Sequence, residues 1–165
     1  MAVIRLLLAV LVATSLLAVA LPAIDTARED AAATAARGEL TTIEHAIHRL
    51  ATTNDPVPVG LPAARRQLTV TVPDAGPGST GVSYLAIGGN PTTTTRDGPT
   101  GDILVYRLPG GPTHTIRTSV DLRVVLDGRR QDDATPIIIR DSTRLTLTLV
   151  TVEDTVVVRI TTVRL

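Results

Sequence analysis

The chain has 165 residues, 16 basic and 16 acidic side chains, no Cys, no Trp, no Phe, one Met and two Tyr. That length holds one modest domain and an appendage, and the zero net charge excludes a basic nucleic-acid footprint or an acidic tail. Without Cys there is no disulfide, thiolate metal site, cysteine nucleophile or lipidated N-terminal Cys.

All 16 basic residues are Arg, 12 of the 16 acids are Asp, and Thr occurs 26 times. A core without Phe or Trp must be filled by Val, Leu, Ile and Ala. The same bias suits either a GC-rich genome or the proteome of salt-loving archaea.

Residues 1–24 read as a membrane anchor. Met1 to Arg5 carries one positive side chain, and Leu6 to Ile24 then runs 19 residues without a charge. As a helix that run is about 28 Å long, close to the ~30 Å hydrocarbon thickness of a bilayer. Thr14 and Ser15 can return their hydroxyls to the helix backbone, and Pro22 falls near the exit, where a freed carbonyl finds water or head groups. A cleavable signal ending at Ala18-Val19-Ala20 is the competing expectation. The run exceeds the usual signal core of about 7–15 residues and continues as helix, which favours the anchor. Arg5 on one side and the Thr-rich β segment on the other place the N-terminus inside and the bulk of the chain outside.

Residues 25–55 read as an amphipathic stalk helix. Ala32, Ala33, Ala35 and Ala36 supply propensity, and Leu40, Ile43, Ile47 and Leu50 recur at spacings of three and four. These four form an interaction stripe that would dock on the head or on a partner. Asn54-Asp55-Pro56 stops the helix, and residues 56–66 form a Pro-rich linker.

Residues 67–165 read as a β-rich head of about seven strands. Leu68, Val70 and Val72 alternate with polar residues, while Val82–Ile87 and Ile103–Leu108 are short apolar runs. Ile116, Val120, Leu122, Val124 and Leu126 alternate as one strand, ended by Asp127-Gly128. Ile137–Ile139 is a short strand. A terminal hairpin then has Leu145, Leu147 and Leu149 on one face, with Val156, Val158 and Ile160 returning on the matching face after a turn near Glu153-Asp154. The expected class is α+β: one N-terminal helix, then an antiparallel sheet or small sandwich.

No motif identifies a reaction. Gly76-Pro77-Gly78-Ser79-Thr80-Gly81 matches G-x-G-x-x-G, but a strand follows where dinucleotide binding needs a helix. Glu44, His45 and His48 share one helical turn without a third metal ligand. His114 is the only head histidine, and no G-x-S-x-G surrounds any of the five serines. Asp97, Asp102, Asp132 and Asp133 lie in loops without EF-hand spacing. Arg65-Arg66 and Arg129-Arg130 lack aromatic stacking partners. Thr92 to Thr95 reads as an O-glycosylation tract or a flexible tip, and Pro91 spoils the acceptor triplet Asn90-Pro91-Thr92. No catalytic, cofactor or metal residue is expected.

An apolar helix, an amphipathic extension, a Pro break and a β head resemble the order found in type IV pilin-like proteins. IEHAIHRLATTNDPVPVG, ARRQLTVTVP, GVSYLAIGG and the terminal hairpin resemble a family of uncharacterised haloarchaeal membrane-anchored proteins, encoded beside type IV pilus or secretion machinery. No acid precedes Asp25, and Met1-Ala2-Val3-Ile4-Arg5 does not match a pilin leader. The resemblance therefore implies an unprocessed accessory subunit of a surface filament or secretion apparatus. Its partners would be the bilayer and other pilin-like subunits, with no cofactor and no nucleic acid. A secreted or anchored β-sandwich that binds a ligand through the Gly76–Gly81 and Asn90–Gly101 loops is the alternative.

Overall fold

The computed structural model describes residues 2–92, 102–126, 129–130 and 136–164. One helix, α1 (Ala2–Thr53), runs 52 residues without a break, about 78 Å at 1.5 Å per residue. Helix continues through Pro22, where Thr26 Oγ1 donates to the Pro22 carbonyl at 3.0 Å. Thr14 and Ser15 return their hydroxyls to the carbonyls of Val10 and Leu11, which satisfies them inside an apolar segment. At the far end Asn54 Nδ2 donates to the Leu50 carbonyl at 3.0 Å, capping one of the free carbonyls of the last turn. Pro56 prevents continuation.

Ten strands follow. They are β1 (Val57–Pro58), β2 (Arg65–Val70), β3 (Tyr84–Ile87), β4 (Ile103–Arg107), β5 (Thr113–Arg117), β6 (Asp121–Leu126), β7 (Arg129–Arg130), β8 (Ile137–Ile139), β9 (Thr143–Val152) and β10 (Thr155–Arg164). The expected α+β class stands, with more strands because β1 and β7 are two-residue pieces too short for periodicity to register.

The strands form two sheets. In the first, β9 carries β10 on one edge and β2 then β1 on the other, and β6 and β7 continue beyond β10. The second has the order β5-β4-β3-β8 and is antiparallel throughout. The first sheet is mixed: β6 lies parallel to β10, with Leu122 opposite Val158, and β1 lies parallel to β9. Alternation in a sequence carries no strand direction, so only the antiparallel pairings could be anticipated.

The expected strand from Ile116 to Leu126 is two strands in different sheets, joined at Thr118–Val120. The break keeps the inward parity of Ile116, Val120 and Leu122, which hides it from a period-two reading. Asp127-Gly128 lies outside the described residues. The terminal hairpin is where the alternation placed it, except that Val156, opposite Thr151, is 42% exposed because it lies at the turn end of the hairpin. Leu149 opposes Val158 and Leu147 opposes Ile160, all fully or almost fully buried. Its two-residue turn puts Glu153 and Asp154 at φ 49° and 63°, the left-handed backbone of a tight hairpin turn.

A single main core joins the helix to the inward faces of both sheets. Ala36, Leu40, Ile43, Ala46, Ile47 and Leu50 pack with Leu145, Leu147, Val158 and Ile160 of the first sheet and Leu85, Ile87, Leu104 and Ile139 of the second. The chain's first buried residue is Ala32; everything described before it is exposed or half-buried.

Two substitutions in α1 separate propensity from packing. Gly38 is exposed, and a Cβ built there meets nothing within 4 Å. Gly38→Ala is expected to stabilise the head by about 1 kcal/mol. Leu40→Ala empties a fully buried site and is expected to cost about 2–5 kcal/mol. Urea unfolding of the detergent-solubilised chain, followed by the loss of circular dichroism, measures both.

Candidate functional site

The stripe Leu40, Ile43, Ile47 and Leu50 is 0–5% exposed and consumed by the head's own core. What remains for function is the way the helix leaves that core, together with the polar groups around its exit.

The helix rises and β2 descends beside it. Near the top, Arg49, Leu50, Thr53 and Asn54 share an open cleft of about 500 Å³ with Ala64, Arg65 and Arg66. Three guanidinium groups line it, and no carboxylate does. Lower down, the Thr71 amide donates to Glu39 Oε2 at 3.5 Å. Lower still, the loop after Val72 reaches the helix at Arg28: Arg28 Nη2 donates to the Gly76 carbonyl at 3.0 Å, and the Thr80 amide donates to the Arg28 carbonyl at 3.4 Å. A second ion, Asp25, lies 3.9 Å from Arg28 Nη1.

The Gly76–Gly81 sequence is therefore a turn clasped to the helix, and β3 follows it, not a helix. Gly76 and Ser79 exchange backbone hydrogen bonds of 2.9 and 3.3 Å. Gly81 has φ +74°, and a Cβ there would sit 2.6 Å from the Ala75 nitrogen. Only glycine lets the two strands of the loop approach this closely.

On another side of the helix, Glu29, Asp30, Ala33 and Arg37 face the turn Leu108–Pro112 and His114 across a cleft of about 570 Å³. Tyr106 is buried, and its hydroxyl accepts from Arg37 Nε at 3.0 Å. The His114 ring stacks on the Tyr106 ring with centroids 4.7 Å apart and planes 11° from parallel. Tyr106 thus uses its ring for the core and its polar tip for the helix. No serine lines this cleft.

The other candidates are scattered. Glu44 lies 3.7 Å from its neighbour His45, and His48 is exposed. Among the described residues no three His, Asp or Glu side chains come together as a metal site. Asp97, Asp132, Asp133 and Thr93–Thr95 lie outside the described residues, as do the side chains of Arg129 and Arg130. Thr92 donates to Asn90 Oδ1 through its amide at 3.0 Å and its hydroxyl at 2.8 Å, a local turn around Pro91.

Among the described residues, Asp102 is a loop acid with a structural role that sequence reasoning missed. It accepts from the Leu122 amide at 3.3 Å, and its own carbonyl accepts from the Thr118 amide at 2.7 Å. It therefore braces the point where the chain crosses between the sheets. Burial pushes its carboxyl above the ordinary 3.8; the Leu122 hydrogen bond lowers it, Asp121 raises it and Arg123 lowers it.

These features define the class: an α+β protein whose head is built around the outer half of one long helix, with the apolar inner half standing free of it. The inner half is long and apolar enough to cross a membrane. The chain belongs to the DUF7311 family, a domain of unknown function whose model matches residues 3–163. No curated protein and no solved structure matches it.

A raised carboxyl pKa means that the folded state holds the proton more tightly than the unfolded chain. Asp102 therefore favours folding most below pH 3.8, and that contribution is lost as pH rises through its raised value. Asp102→Asn keeps an acceptor for Leu122, and its stability curve should lack this acidic-side fall relative to the unchanged protein. Asp102→Ala removes the acceptor and should cost about 1 kcal/mol across the range. Urea titrations at stepped pH read both effects.

Proposed function

We propose that this chain is a non-enzymatic single-pass membrane protein: an accessory, pilin-like component of a cell-surface filament or a secretion apparatus of the type IV pilus kind. Its N-terminus lies inside and its head outside. The observation that carries the reading is the division of α1. Val3 to Ile24 presents large apolar side chains that are 51–76% exposed, and the same helix from Ala36 to Leu50 is the head's central core element.

An uncovered surface of that size is a binding surface, and a ~28 Å run without charge suits a hydrocarbon layer. Arg5 on the short side favours retention inside. Helix and head share one core, so neighbouring helices packed in a bilayer would carry their heads outward in a fixed orientation. That is the arrangement of pilin-like assemblies. The pilin-like order of elements and the resemblance to haloarchaeal anchored proteins support the same assignment, and the absence of any acid before Asp25 supports an accessory place in it.

Intact mass and N-terminal sequencing of the protein from native membranes test the anchor. The expected mass retains Leu6–Ile24; a mature chain beginning at Leu21 would replace this reading with a freely secreted binding module. Affinity capture from a mild detergent extract tests the assembly. Recovery of other subunits with apolar N-terminal helices is expected, and recovery of none after cross-linking in intact cells counts against it.

A further inference from the structure

We infer that the two Gly/Pro turns around the foot of the helix form a collar on which the head rests against the lipid surface. The inference rests on the reading of residues 6–24 as membrane-spanning and adds where the head sits relative to the bilayer.

The helix supplies the ruler. Arg28 lies four residues past Ile24, about 6 Å along the axis at 1.5 Å per residue. The head-group layer on each side of the hydrocarbon is about 5–8 Å deep. Arg28 is the residue that holds the loop, through the Gly76 carbonyl at 3.0 Å and the Thr80 amide at 3.4 Å. The turn Gly76–Ser79 therefore falls within head-group depth. The second turn, Leu108–Pro112, shares its cleft with Glu29, Asp30, Ala33 and Arg37, about 8–20 Å past Ile24, so it lies at and beyond the outer edge of that layer.

The chemistry of the two turns suits this position. Ala75 to Ser83 and Leu108 to Pro112 contain no charged side chain. Pro77, Gly78, Pro109, Gly110 and Pro112 are exposed. Their backbones are largely self-paired: Gly76 and Ser79 bond each other, and the Gly111 amide donates to the Leu108 carbonyl at 3.2 Å. A loop with no charge and few free amides loses little on leaving water. The charges around the two turns are Asp25, Arg28, Glu29, Asp30, Asp74, Arg37 and Arg107, whose Nε donates to the Gly111 carbonyl at 3.1 Å; acids and bases nearly balance, so the contact does not depend on anionic lipid.

A test exploits the absence of Cys from the chain. Single cysteines at Gly78→Cys, Pro109→Cys, the distal exposed site His48→Cys and the mid-span site Ala13→Cys are spin-labelled in the full chain, reconstituted in phosphatidylcholine nanodiscs. Collision with a water-soluble nickel reagent reads their depth. The expected result is severalfold lower accessibility at position 78 than at 48, with 109 between them and 13 lowest. If 13 is shielded while 78 and 109 match 48, the collar is overturned and the anchor stands. If 13 is as accessible as 48, the spanning reading fails and the collar with it. A Gly81→Ala variant, which cannot close the first turn, should expose position 78 while leaving 13 shielded; unchanged shielding at 78 would also count against the collar.

Discussion

Everything in this molecule depends on one helix face meeting two sheets at once. Leu40, Ile43 and Ile47 lie in the same apolar cluster as Leu147 and Ile160 of one sheet and Leu85 and Leu104 of the other. The stripe and the inward faces of both sheets are buried in that one cluster. An isolated sheet of short strands is marginal in water, and a helix laid along it supplies the missing apolar layer. The head is thus completed by the same element that carries the free apolar segment, and the two cannot swing apart without opening the core.

Rigidity at the junction comes from polar groups placed outside the core. Arg28 grips the Gly76 turn, Glu39 receives the Thr71 amide, and Arg37 reaches the Tyr106 hydroxyl. Arg28 lies about two and a half turns from Arg37, Glu39 shares the turn of Arg37, and the three hold three different parts of the head. Each bond alone contributes about 1 kcal/mol, too little to fix an orientation. Spread along the helix, they oppose rotation of the head about the helix axis, which an apolar stripe resists less because it is non-directional. Tyr106 is central to this: in a chain with two tyrosines and no Phe or Trp, it packs into the core, stacks with His114 and accepts from the helix.

Much of the fold was legible because period and length are robust signals. The 19-residue uncharged run, the stripe at spacings of three and four, and the Leu145–Ile160 hairpin all follow from side-chain periodicity. The rest was hidden for definite reasons. Residues 116 and 120 share parity, so the passage from one sheet to the other leaves no trace in the alternation. Parallel pairing of β6 with β10 is a long-range choice that no local pattern encodes. The site was less legible still. The loop Asp74–Gly81 reads from sequence as an ordinary turn, and nothing in it announces that Arg28, some fifty positions earlier, holds it. Asp102 resembled its neighbouring loop acids until the Leu122 amide was seen to be its partner.

The division of labour along α1 also bears on why its first half has the composition it has. The described residues before Arg28 are all exposed, and the main core begins at Ala36 with Ala33 packed against it. Leu6 to Ile24 therefore contributes no buried contact to the head, and folding exerts no demand for apolarity there. Nor is the segment amphipathic, as it would be if it lay along a protein groove; Val3, Leu7, Leu11, Leu17, Val19 and Leu21 project all round it. A helix that is apolar on every side is stable only where its whole circumference is out of water. Lipid meets that condition by itself, and a bundle of identical helices meets it with lipid at the rim. The small side chains Ala9, Ala13, Ala20 and Ala23 allow close approach of such neighbours. On the proposed reading the first half of the helix answers to the bilayer, the second half to the head, and the boundary between the two environments lies at Asp25 to Arg28, where charges reappear after Arg5 and the first loop takes hold.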